Sequence, residues 1–120
     1  MMMDNRQFGK ALEKRTKDFA VRIIRLSASL PNTPEGRVIR DQLTASATSI
    51  GANYREANRS RSKNDFKNRI AICESEASET QYWLELAVAA GWLTEKQIAF
   101  EHKECSELLA IFTSIGKKLK

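Results

Sequence analysis

Apolar residues recur every three or four positions in four separate segments, a spacing that places them on one face of an α-helix. The first helix is predicted from about Lys10, and Pro31 ends it because proline has no backbone N–H to continue a helix. Residues 1–9 lack this periodicity, so we predict a flexible N-terminal arm there. The apolar stripe of the first helix is Phe19, Ile23, Leu26 and Leu30.

The other three helices have recognisable end signals. Thr33 is a suitable N-cap ahead of Pro34 at the first helical position, and Ser62 and Thr94 each begin a sequence that resembles a capping box. Gly91 is placed to end the third helix. Their stripes are, in order, Ile39, Leu43, Ser46, Ile50, Asn53 and Ala57; Phe66, Ile70, Cys73, Ala77, Leu84 and Ala87; and Ile98, Cys105, Leu108, Leu109, Phe112, Ile115 and Leu119.

Connections of a few residues make successive helices antiparallel neighbours. We therefore predict an all-α fold, an antiparallel up-down-up-down four-helix bundle domain over residues 10–120. No apolar run approaches the ~18 residues that a membrane span requires, and the first residues lack the apolar stretch of a signal peptide. We expect a cytoplasmic protein that has no membrane partner.

Few side chains suit catalysis or metal binding. His102 is the only histidine, and Cys73 and Cys105 lie on core stripes, where cysteine acts as a small apolar filler. The glutamates of residues 74–79 lack the Glu-x-x-His motif of di-iron bundles. We interpret them as partners of the arginines in residues 55–61, within one protomer or across an interface. We expect no enzymatic activity, no cofactor and no metal.

The net charge of +5 is unevenly distributed. Residues 1–70 hold 15 Lys and Arg against 7 Asp and Glu, whereas residues 71–120 hold 5 against 8. The basic half could attract a polyanion or meet the acidic half of another protomer. Aromatic residues are not interleaved with the basic ones along the chain, so base readout is not indicated. The predicted nucleic-acid contacts are Lys10, Lys14, Lys17, Arg25, Arg55, Arg59, Arg61, Lys63, Lys67 and Arg69.

A second stripe on the third helix carries more apolar surface than a small bundle needs to bury. Two interpretations remain open. The stripe is either a partner surface, since tryptophan is a favoured interface anchor, or a wide core face with Trp83 wedged between helices. The predicted interface residues are Ile72, Glu76, Glu79, Trp83, Leu86 and Trp92.

The central stretch has a specific combination of motifs. Residues 42–57 carry the run "QL..SA.SI.AN..EA", and residues 62–66 (SKNDF) and 76–84 (EASETQYWL) follow it. Over roughly residues 17–115 the chain resembles a four-helix-bundle family related to the protein encoded in intervening sequences of bacterial 23S ribosomal RNA genes.

The resemblance implies a small bacterial bundle without enzymatic activity that assembles as a ring-like homopentamer. The family is also similar to the accessory protein of diversity-generating retroelements, a basic pentamer that binds a reverse transcriptase and nucleic acid. The resemblance further implies that Asn53, Glu56 and Glu79 are structural polar groups between helices two and three. We expect a homo-oligomeric scaffold associated with RNA or DNA. The alternative is a protein-interaction module that docks a partner protein without binding nucleic acid.

Overall fold

The computed structural model describes residues 4–120, which form four α-helices and no strand. Adjacent helices pack in the order α1–α2–α3–α4 and back to α1, and within this range no Cα atoms of the diagonal helix pairs lie within 8 Å of each other. The predicted antiparallel up-down-up-down four-helix bundle is confirmed. None of these helices is long and apolar enough to cross a membrane. The helices are α1 (Asn5–Ser27), α2 (Pro34–Ala57), α3 (Lys63–Ala89) and α4 (Glu95–Lys118).

Helix α1 begins five residues earlier than predicted. Asp4 accepts the Gln7 N–H at 2.7 Å, and the Gln7 side chain accepts the Asp4 N–H at 3.1 Å, which completes a capping box. Residues 5–9 are therefore helical, and the predicted flexible arm is wrong for them. Met1–Met3 lie outside the described residues. The segment holds one large apolar side chain, Phe8, so periodicity within it could not reveal the helix.

Caps fix the other helix boundaries as predicted. Thr94 and Gln97 form a capping box at α4, and Ser62 accepts the Asp65 N–H at 3.0 Å at the start of α3. Gly91, at φ +76°, ends α3 in a conformation that favours glycine. The chain then turns back through two bonds of a Schellman motif, one of which joins the Trp92 N–H to the Ala87 carbonyl at 3.0 Å.

The predicted stripes meet in one core. Two polar side chains that the stripes did not include, Thr16 and Thr80, are also fully buried. Each hydroxyl donates to the carbonyl of the residue four positions earlier, so it is satisfied away from water. The largest fully buried apolar side chains include one from each helix, namely Phe19, Ile50, Ile70 and Phe112.

Ion pairs bridge α1 and α4, the adjacent pair with the fewest close backbone approaches. Arg15 contacts Glu104 through two hydrogen bonds of 2.6 and 2.8 Å, and Arg22 binds Glu101 at 2.8 Å. The bidentate pair of Arg15 with Glu104 is geometrically specific. The Arg15 guanidinium holds the pKa of Glu104 below its ordinary value. The contact between α1 and α4 therefore depends on charged pairs, whereas the contacts between the other adjacent helices depend on apolar packing.

Candidate nucleic-acid interface

Cationic side chains collect at one end of the bundle, where α1 and α3 begin and α2 and α4 end. We define the basic end as residues 4–10, 55–67 and 117–120. It holds ten Lys and Arg against three Asp and Glu, whereas the rest of the chain holds ten against twelve. Such an excess creates a positive electrostatic potential that attracts a polyanion. The cations are Arg6, Lys10, Arg55, Arg59, Arg61, Lys63, Lys67, Lys117, Lys118 and Lys120.

Four of these cations were missed by sequence reasoning: Arg6 and the three lysines of residues 117–120. Lys117 and Lys120 line one cleft of about 230 Å³ with Lys67, a predicted contact on α3. The lysines are also favourable charges at the negative end of α4. The antiparallel topology was the missed signal, because it brings the last turn of α4 beside the first turn of α3.

A second basic cleft lies between α1 and α2 and has a volume of about 650 Å³. Small side chains form its floor, and a Cβ on Gly51 would stand 3.0 Å from Thr16 Oγ1, so the two helices approach closely here. Asp18 lies 2.7 Å from one of the cations, Lys14, but this exposed pair contributes little stability. Four cations line the cleft, and two of them, Arg55 and Arg59, also belong to the basic end. The other two are Lys14 and Lys17.

Two predicted contacts lie elsewhere. Arg25 is in the last turn of α1, at the opposite end of the bundle. Arg69 is half-buried and donates to Asn53 Oδ1 at 2.9 Å, so it joins α3 to α2. Both are therefore removed from the candidate surface. Arg69 was misassigned because charge alone does not show which helix face a residue occupies. Arg25 was misassigned because it was grouped with cations that lie at the other end of the antiparallel bundle.

Asn53 lies between α2 and α3, where it donates to the Ser49 carbonyl at 2.9 Å and accepts from Arg69. Glu56 does not share this position. It is exposed in the last turn of α2, and its carboxylate has no hydrogen-bond or ion-pair partner among the described residues. The structural role expected for Glu56 is therefore wrong, because its side chain lies on the outer face of α2.

The predicted interface strip follows one side of α3 and is only partly open. Trp83 is half-buried, and its Nε1 donates to Glu79 Oε1 at 3.2 Å. Trp92 also packs against the core, so the wide-core interpretation applies to both tryptophans. Ile72 is 40% exposed and the neighbouring Tyr82 is 55% exposed. These two residues are the apolar part of the strip that a partner could reach.

The glutamates on α3 do not pair with the nearby arginines inside one chain. Within residues 4–120 no ion pair joins residues 74–79 to residues 55–61, so the intramolecular form of the predicted pairing is wrong. The pKa of Glu76 is raised by burial and by the charge of Glu79. Pairing across an interface between protomers stays a prediction.

The two cysteines and the histidine occupy positions that do not indicate a catalytic or metal site. Cys73 and Cys105 are fully buried, and burial raises the pKa of each thiol to about 12, so both are protonated at neutral pH. His102 Nε2 lies 2.8 Å from Glu85 Oε2 at the surface between α3 and α4. The described residues, 4–120, contain no group of three His, Cys, Asp or Glu side chains placed to hold a metal ion.

A family model described as "23S rRNA-intervening sequence protein" matches residues 11–114. The chain belongs to the 23S rRNA-intervening sequence protein family. This membership confirms the resemblance that the central motifs indicated. Parts of the basic end, residues 4–10 and 117–120, lie outside the matched stretch, so they are features of this chain rather than of the family model.

One solved structure similar to this chain is the crystal structure of a protein of unknown function from Bacteroides thetaiotaomicron. That protein is assigned to the S23 ribosomal protein family. The two sequences are 38% identical, the alignment covers 88% of this chain and 97% of the other, and the TM-score is 0.81. No curated protein matches the chain. The bundle fold is thus shared, while ring assembly and nucleic-acid binding stay predictions.

Proposed function

We propose that this chain is a non-enzymatic, cytoplasmic, homo-oligomeric scaffold that associates with nucleic acid, and with RNA above all, through the basic end. The observation that carries the proposal is the ratio of ten cations to three acids in segments that the bundle gathers at one end. Oligomerisation repeats this patch several times, which raises avidity without any new contact.

Fluorescence anisotropy with a labelled RNA oligonucleotide tests the proposal. The variant Lys117→Gln/Lys118→Gln removes two charges at the basic end, and Lys96→Gln/Lys103→Gln removes two exposed charges at the opposite end of the same helix. If the first pair contacts phosphates, it lowers the slope of log affinity against log salt by about 1.4 for a single strand. The control leaves the slope unchanged.

Two results would contradict the proposal: no binding of RNA or DNA by the parent chain at low salt, or equal losses in the two double variants. Equal losses would mean that net charge acts without a defined surface.

Self-association is supported by the glutamates of residues 74–79, which form no ion pair within residues 4–120 and can meet cations of another protomer. When such surfaces meet head to tail, repeated contacts form a ring if the rotation between neighbouring protomers closes. Light scattering should report a particle of five times the 13.6 kDa chain mass. A particle of one chain mass would remove the avidity on which the scaffold depends.

The second candidate is a protein-interaction module in which the α3 strip docks a partner protein without nucleic-acid binding. The exposure of Ile72 and Tyr82 favours it. The two candidates differ in a simple way. If the parent chain binds neither RNA nor DNA at low salt and remains a 13.6 kDa monomer, no second copy covers the α3 strip. That outcome would favour the second candidate over the first.

A further inference from the structure

An apolar groove of about 780 Å³ opens at the basic end, between the first turns of α1 and the last turns of α4. Phe8 stands on its α1 side and is 41% exposed. Phe66 enters from α3, and Ile111 and Ile115 line the α4 side one turn apart. Tyr54 completes the floor, with its ring 5.5 Å from that of Phe112 in the core.

The groove stays open because the first turns of α1 contact α2 by hydrogen bonding and close packing and, within residues 4–120, make no ion pair with α4. Asn58 donates to Glu13 Oε2 at 2.9 Å, and Gly9 passes so close that a Cβ would stand 3.4 Å from Asn58 Nδ2. The ion pairs that join α1 to α4 begin only at Arg15, two turns further along α1 than Phe8. A gap between the two helices is thus part of the folded structure.

Lysines border the groove. Lys118 lines it directly. Lys117 and Lys120 line the adjoining cleft beside Lys67, on the other side of the last turn of α4. An extended polyanion can therefore contact cations on both sides of that turn while part of it enters the groove. The aromatic side chains that the sequence did not interleave with basic residues are brought among them by the bundle.

Polar groups in the lining favour a nucleotide over the apolar face of a partner helix. Asn5, Asn58 and Ser114 line the groove together with its apolar residues. An apolar helix face would cover the amide of Asn5 and the hydroxyl of Ser114 without pairing them, which is unfavourable for each group left unsatisfied. A base offers both a flat face for aromatic side chains and polar edges for amides and hydroxyls.

We propose that this groove binds unpaired nucleotides of single-stranded RNA, with a base against Phe8 and Phe66 and the neighbouring phosphates on the lysines of α4. The inference rests on the proposed function and narrows it to single strands, because bases inside a duplex are stacked and cannot enter. Aromatic stacking with bases tolerates any sequence, so little base preference is expected.

The test compares anisotropy of a labelled single-stranded RNA 12-mer with that of a duplex of the same length, both at low salt. Phe8→Ala removes the exposed ring, and Phe100→Ala is its matched control, a phenylalanine that is 69% exposed near the other end of α4. Ser114→Trp fills the groove from an exposed position, with Ser78→Trp as control on exposed α3 surface. Circular dichroism checks that each variant is folded.

Phe8→Ala and Ser114→Trp should each weaken single-strand binding by about five-fold or more, with duplex binding and both controls unchanged. If the parent binds both RNAs but neither variant differs from its control, the groove inference is wrong and the proposed function stands. If the parent binds no RNA, both fail. Tight, Phe8-dependent binding of an acidic amphipathic peptide in place of RNA would also overturn the inference.

Discussion

Replacing Gly36 with alanine tests the tightest contact between α2 and the loop before it. Gly36 is buried in the first turn of α2, and its N–H donates to the capping hydroxyl of Thr33 at 3.1 Å. A Cβ at this position would overlap the carbonyl oxygen of Pro31 and lie 2.8 Å from its carbonyl carbon. These are backbone atoms, so no side-chain rotation can relieve the clash.

The magnitude follows from three terms. Alanine gains up to about 1 kcal/mol over glycine in a helix, overpacking costs about 2 kcal/mol, and a weakened N-cap bond costs about 1 kcal/mol. The net loss is about 2 kcal/mol. A chain of this length has an unfolding entropy of about 0.25 kcal/mol/K, so Gly36→Ala should lower the Tm by about 8 °C.

Gly116 provides the matched control, because it lies in α4 and nothing stands within 4 Å of a Cβ added there. Gly116→Ala should raise the Tm by about 2–4 °C through the lower entropy of the unfolded chain. Thermal unfolding is followed by circular dichroism at one protein concentration, since assembly makes the Tm concentration-dependent. Shifts of the same sign in the two variants, or a Gly36→Ala protein as stable as the parent, would refute the reasoning.

Two further predictions concern ionisable groups. Because Arg15 lowers the pKa of Glu104 below 4.5, their pair stabilises the fold above about pH 4.5, and this contribution is lost as the pH falls through the folded-state pKa. Glu104→Gln should lower the Tm at pH 7 and flatten its fall in acid; an unchanged acid profile would contradict the pair. Cys73 and Cys105 should resist a thiol reagent at pH 8 until urea unfolds the chain, and rapid reaction of the folded protein would contradict their burial.

Periodicity was sufficient to predict the fold because each helix has an apolar face that the core buries. Phe19 and Ile23 on α1, like Leu108 and Phe112 on α4, are fully buried where the spacing placed them. The start of α1 was missed for the converse reason. Asp4 and Gln7 mark it by hydrogen bonding, which leaves no trace in an apolar pattern.

The candidate site could be predicted only in part, because it is assembled from segments far apart in the chain. The run from Arg55 to Lys67 is visible as a cluster in the sequence, but Lys118 joins it only when α4 returns to the same end. Phe8 lies one turn before the buried Leu12, but its position beside Ile115 depends on how α1 leans toward α2. Local patterns cannot specify such an arrangement.

Photo-crosslinking with RNA that contains 4-thiouridine tests the central claim most directly. The crosslinked peptides, identified by mass spectrometry, should come from residues 4–10, 55–67 and 117–120. Crosslinks confined to the opposite end of the bundle, in residues 28–41 and 90–103, would contradict the assignment of the basic end as the nucleic-acid surface.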